Sequence, residues 1–344
     1  MNVYYKKIMQ DSDSVGEKFK SKWREYVFSL KESYNNAIQL RIGSHLRPFL
    51  VIWGYALGNK REHVQFDSKL LDLAICVELL HKTSVIIDDY IDEDIARHNK
   101  LAFHKQFSGE ETIIFAFYLI GTIFKKINSL NFDNSNQKES MIRIFADTLK
   151  GMSYGCLDEL VLDNITRYDH SIIKSIIKLE TSTLIKNSLL LGYLYNNGTN
   201  KNAIEVISNI GYQIGNLFQV MNDLEPFCSL KNVNAHKGSF NIDFNKSRKN
   251  VVVTYIYGMS TLKEQSRLEN IGCDEESIAY LFKLYDKYNI YNHLMEDIDK
   301  TQNNIEKHLN ELIDYEIDSA WVEGFTTFYQ EVLQIAKSRL LKRY

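Results

Sequence analysis

Three aspartates, Asp88, Asp89 and Asp92, stand at the end of a long apolar run, and His81 lies seven residues before the first of them. On a helix His81, Asp88 and Asp92 share one face, with Asp89 beside them. Carboxylates crowded in this way repel one another, and a divalent cation relieves the repulsion. Magnesium suits the task because it prefers carboxylate oxygen and shares its other positions with water and substrate phosphates. A bare acidic pair at this spacing is more often a solvated helix end. That reading leaves the apolar residues that deliver the cluster without a purpose.

The elements that position these residues read as helices. Leu70, Leu73, Ala74, Val77, Leu80, Ser84 and Ile87 return every three or four residues, and only Ser84 is polar. The same periodicity predicts helices over 67–92, 112–127, 138–162, 171–195, 202–224, 275–288, 297–313 and 319–341, with breaks at 131–136, 196–200 and 231–249. Two prolines and 16 glycines in 344 residues permit long helices, since an internal proline costs about 3 kcal/mol. No strand alternation or internal repeat stands out. One all-α domain over residues 1–344, of roughly ten helices, is expected. A net charge of -3 and no basic stripe argue against a nucleic-acid partner. Cys76, Cys156, Cys228 and Cys273 are far apart and read as reduced thiols. With no signal-like start and no apolar run long enough for a membrane span, a cytoplasmic location is expected.

Further residues carry a family likeness. His81 precedes Asp88-Asp89-x-x-Asp92, Arg97 follows five residues after the last aspartate, and His104 seven beyond that. Upstream stand Gly43, Ser44, His45, Leu46, Arg47 and Pro48; downstream stand Phe218, Gln219, Val220, Met221, Asn222 and Asp223. In this order the chain resembles the trans-isoprenyl diphosphate synthase (polyprenyl synthetase) family over roughly residues 40 to 255. The resemblance implies an isoprenoid synthase fold, a single large helical bundle around a central substrate cavity, Mg2+ as cofactor and a homodimer. It also implies two diphosphate sites. Asp88, Asp89, Asp92 and Arg97 would ionise an allylic prenyl diphosphate, with Asp223 as a further metal ligand. Arg47, His81, His98, Thr181, Gln219, Lys237 and Arg248 would bind substrate.

Several positions depart from the family pattern. Ser44 replaces a lysine and His98 an arginine in the acceptor site, so fixed cations facing a diphosphate are lost there. Each such charge-assisted bond is worth about 1.5–3 kcal/mol. Glu180-Thr181 replaces a Lys-Thr pair, and Asn222 and Pro226 replace carboxylates of the second aspartate motif, with Glu225 a displaced candidate ligand. The ionising half is kept and the acceptor half altered. The expected activity is that of a magnesium-dependent prenyltransferase of isoprenoid biosynthesis, with isopentenyl diphosphate or a non-isoprenoid nucleophile as acceptor. A terpene-synthase-like enzyme and a regulatory subunit of a heteromeric synthase are the alternatives. The prenyl tail is expected along the 67–92 helix and beside Phe115, Phe117 and Tyr118, with the small Thr83 and Ser84 leaving room for length.

Overall fold

A computed structural model describes residues 3–340, apart from 11–12, 36, 38–39, 41–42, 59–65, 98–99, 163–165, 229–249 and 273. Its helices are α1 (Val3–Met9), α2 (Val15–Ser29), α3 (Glu32–Asn35), α4 (Leu46–Leu57), α5 (Ser68–Ile91), α6 (Phe103–Gln106), α7 (Gly109–Asn128) and α8 (Ser135–Leu160). They continue as α9 (His170–Ile177), α10 (Thr183–Tyr195), α11 (Lys201–Cys228), α12 (Val251–Met259), α13 (Leu262–Glu269), α14 (Glu275–Lys287), α15 (Ile290–Asp314) and α16 (Ser319–Leu340). The fold is the all-α architecture expected.

α5 is its centre. From Leu70 to Leu80 nearly every side chain is buried, whichever way it points. A helix apolar all round is stable only when other helices surround it, and α4 and α7 pack on its flanks. Asp67 starts it, its Oδ1 accepting from the Leu70 N–H at 2.8 Å. Glycine decides how closely the neighbouring helices approach. A Cβ on Gly54 of α4 would lie 2.0 Å from the Leu189 carbonyl, and one on Gly192 of α10 would lie 1.9 Å from that of Val51. These two helices therefore meet backbone to backbone.

Three departures from the periodicity bear on the site. The helix expected over 171–195 has a π-helical segment, Lys178–Ser182, between α9 and α10. Such single turns occur often at functional sites. This one is wedged between α8 and α11: a Cβ on Gly155 would meet Glu180 Cγ at 2.7 Å, and one on Gly215 would meet Ser182 Cα at 2.4 Å. α11 runs on past Leu224 and carries Pro226 in its last turn, so the Asn222 carbonyl loses its helical N–H partner. Finally, Ala96–Arg97 and Lys100–Leu101 pair as a minimal antiparallel ladder, too short to leave an alternating pattern.

Candidate active site

The end of α5 is built to turn the chain sharply. The Glu93 N–H donates to the Tyr90 carbonyl at 3.2 Å and the Asp94 N–H to the Asp89 carbonyl at 2.9 Å. This is a Schellman closure, with Glu93 at φ 55° in the left-handed position. The turn sends the chain back along the helix, so that Arg97 reaches the aspartates that precede it.

Arg97 grips Asp89. Its Nε donates to Asp89 Oδ1 at 2.6 Å and its Nη2 makes a closer contact with the same oxygen. Asp88 Oδ2 and Asp94 Oδ2 each lie 3.8 Å from Nη2. Asp89, Asp92 and Asp94 are buried, whereas the Asp88 side chain is 47% exposed. Burial pushes the Asp89 carboxyl up to about 6 against the pull of Arg97. Burial opposes charge on Arg97 too, but Asp89 and its neighbours outweigh it and raise the guanidinium. Asp94 was not singled out in the sequence, although an acidic residue three before Arg97 was a legible signal.

These groups fit magnesium. Asp88 is open to solvent, and Asp89 Oδ2 is buried without a hydrogen-bond partner among the described residues. No three His, Cys, Asp or Glu among those residues converge tightly enough to cage an ion by themselves. An ion that takes one or two carboxylates and completes its shell with water and phosphate needs no such cage.

A second group links α4 to α5. Arg47 Nη1 lies 3.1 Å from His81 Nε2. Burial first, then Arg47, drives the His81 imidazole well below its ordinary range, so at neutral pH it is the neutral acceptor of that bond. Beside them, Glu78 is buried inside the apolar helix. Its Oε1 lies 3.0 Å from His45 Nδ1 and 3.5 Å from Lys82 Nζ. Sequence reasoning passed over Glu78 and Lys82, yet a charge inside an apolar run was the available sign.

A third group lies on the π segment and α11. Thr181 Oγ1 donates to Gln219 Oε1 at 2.9 Å, and Gln219 Nε2 donates to Asp223 Oδ1 at 2.8 Å. Asp223 Oδ2 accepts from the Val251 N–H, also at 2.8 Å. Asp223 thus ties α11 to the start of α12, while Asn222 faces solvent. Glu225 faces Arg339 of α16 at 4.0 Å, the outer limit of an ion pair. His98, Lys237 and Arg248 lie outside the described residues. His104 sets its ring edge-on to Tyr90, with centroids 5.7 Å apart.

Phe117 and Tyr118 do not line an interior path. They are exposed on α7, while Phe115 is buried and stacks on Phe103 at 5.1 Å. The apolar gap against α5 is lined instead by Leu80, Ile120, Ile123, Phe124, Phe145 and Leu149.

The all-helical bundle, with its aspartate cluster closed by Arg97 at the end of the central helix, has counterparts among solved structures. A geranylgeranyl pyrophosphate synthase superposes with a TM-score of 0.78 at 17% identity, over 93% of this chain and 97% of its own. A polyprenyl synthase from Caulobacter crescentus, complexed with calcium and isoprenyl diphosphate, gives 0.76 at 15% identity, over 96% of each chain. In sequence, the chain is 25% identical over 212 residues to the geranylfarnesyl diphosphate synthase of Methanosarcina mazei, covering 62% of this chain and 65% of that relative. It is 24% identical over 271 residues to the short chain isoprenyl diphosphate synthase of Methanocaldococcus jannaschii, covering 77% and 79%. The match therefore spans just under two thirds of the first relative's length. Residues 29–287 match the polyprenyl synthetase family model. The chain belongs to the polyprenyl synthetase family, a family of prenyltransferases.

Proposed function

We propose that this protein is a magnesium-dependent prenyltransferase that ionises an allylic prenyl diphosphate and joins the prenyl group to isopentenyl diphosphate. The observation that carries the reading is Arg97 held against Asp89, with the accessible Asp88 beside it, at the end of the apolar α5. Magnesium, bound through Asp88, Asp89 and Asp92, would supply Lewis-acid stabilisation of the departing diphosphate. Arg97 adds a planar fork of donors for the same oxygens once substrate draws it from Asp89. Thr181 and Gln219 form a hydrogen-bonded pair that orients polar groups near the leaving group, and Asp223 anchors them as well as being a candidate metal ligand. His98, Lys237 and Arg248 are assigned to substrate on the family likeness alone.

The allylic carbon–oxygen bond breaks with its electron pair on the diphosphate. The acceptor's double bond then attacks the prenyl cation, and a proton leaves to the released diphosphate. Apolar walls must keep water from the cation meanwhile, and Leu80, Ile123 and Phe145 supply apolar surface beside α5. Arg47 and His81, set apart from the aspartates, support a second anionic substrate. The names of the relatives, all diphosphate synthases, support the same choice.

The test is product analysis. The purified protein is incubated with Mg2+ and geranyl, farnesyl or geranylgeranyl diphosphate, with and without isopentenyl diphosphate, and the products are identified by mass spectrometry. Chain elongation only when isopentenyl diphosphate is present is expected; alcohols or hydrocarbons in its absence would contradict the acceptor. Asp88→Ala should lower turnover on the order of a thousandfold or more, since the metal is asked for several kcal/mol. Turnover surviving that change would refute the metal assignment.

A further inference from the structure

We propose that Lys82 is an acceptor-binding residue: its ammonium replaces, from α5, the cation that Ser44 does not provide on the loop before α4. The inference rests on the diphosphate-acceptor reading given above. Its ground is where the ammonium sits. A Cβ added to Gly43 would lie 2.8 Å from Lys82 Nζ and 3.8 Å from Glu78 Oε1. The lysine therefore crosses from the central helix to the backbone at residue 43, next to Ser44, and uses the space that glycine leaves free. It is 4% exposed, and a buried ammonium is rarely kept without an anionic role.

The charge balance points the same way. Among the described residues, Arg47 and Lys82 bring two positive groups to this place and Glu78 returns one negative charge. Glu78 is also shared with His45, at 3.0 Å. Arg47 has no carboxylate within ion-pair distance among the described residues, and its buried Nε has no hydrogen-bond partner. A buried guanidinium left so is stabilised by a bound anion. α4 begins at the same point with no side-chain cap on its first turn, so its N–H groups add to the positive field. Glu78 holds Lys82 in place from one side. The anion would approach from the Gly43–Ser44 side, which is exposed.

The variant is Lys82→Met, which keeps the length and apolar stem, while Glu78 retains its contact with His45. The partner variant, Lys82→Met with Ser44→Lys, returns the charge from the exposed loop. With Mg2+ and saturating allylic diphosphate, Lys82→Met should raise KM for isopentenyl diphosphate about ten- to a hundredfold. KM for the allylic substrate should change less than about twofold, and the double variant should recover most of the loss. A purely structural lysine would instead lower the melting temperature, leave the acceptor KM unchanged and show no rescue; that result would overturn the proposal. A second readout does not depend on turnover. Calorimetric titration with inorganic pyrophosphate in EDTA probes the cationic site alone, because the metal-free aspartates repel the anion. Binding by the parent protein, weakened about tenfold or more in Lys82→Met and restored in the double variant, supports the role of Lys82 even if isopentenyl diphosphate proves not to be the acceptor. No binding by the parent, or equal binding by Lys82→Met, would refute it.

Discussion

Asp89 is fully buried and holds a guanidinium, and these facts act on its carboxyl in opposite directions. Burial disfavours the anion and prevails, setting the group at about 6. Because this lies above the ordinary carboxylate range, the folded protein retains a proton here that the unfolded chain gives up. The stability this carboxyl contributes is present at acid pH and is lost as pH rises through about 6. Metal binding runs the other way, since a proton must leave before the oxygen can serve a cation. The Mg2+ concentration for half-maximal turnover should therefore rise by up to about tenfold per unit as pH falls below about 6. Magnesium titrations at about pH 7.5 and about pH 5.5 would test this. An unchanged requirement would show that Asp89 does not need to ionise.

At the scale of the element, α5 presents Asp88, Ser84 and Leu80 in one column, four residues apart. At a helical rise of 1.5 Å per residue the column is about 12 Å long. Ser84 Oγ donates to the His81 carbonyl and Thr83 Oγ1 to the Leu79 carbonyl, each at 2.8 Å. Their hydroxyls are thus satisfied within the helix, and small apolar surfaces face outward. At the foot of the column lies the gap lined by Leu80, Ile123 and Phe145. A tail leaving the aspartates would follow this line. Ser84→Phe should then shorten the longest product by at least one prenyl unit while leaving KM for isopentenyl diphosphate within about twofold. Products of unchanged length, read by mass spectrometry, would place the tail elsewhere. Residues 115 and 117 lie about 200° apart around a helix, so Phe115 and Phe117 could not both face inward. The aromatic cluster in the sequence did not reveal which one would.

At the scale of the molecule, the outward face of α7 requires an explanation. Ile114 and Phe117 are each 67% exposed, Tyr118 lies beside them, and a Cβ on Gly121 would meet nothing within 4 Å. Contiguous exposed apolar surface of this kind marks an interaction site. A second copy of the chain, joined about a two-fold axis, would cover it with the same residues from its partner. Light scattering with size-exclusion chromatography should find a dimer for the parent protein and a monomer for Ile114→Glu with Phe117→Glu. A monomeric parent, or a variant that stays dimeric, would remove α7 from the interface. Among the described residues no helix is long and apolar enough to cross a membrane.

Much of this molecule is legible in short-range pattern. The periodicity of α5, its cap at Asp67, the aspartates on one face and the arginine five residues beyond all depend on residues within a few helical turns. Local geometry is enough to express them. What tertiary structure decided depends on partners distant in sequence, which no periodicity encodes. It sets Glu225 against Arg339, ties Asp223 to the Val251 N–H, wedges the π segment between Gly155 and Gly215, and brings Lys82 to the backbone of Gly43. The lost lysine at position 44 reads from sequence as a missing charge. Only the packing of α4 against α5 brings another ammonium there, because charge belongs to a place in space and not to a position in the chain.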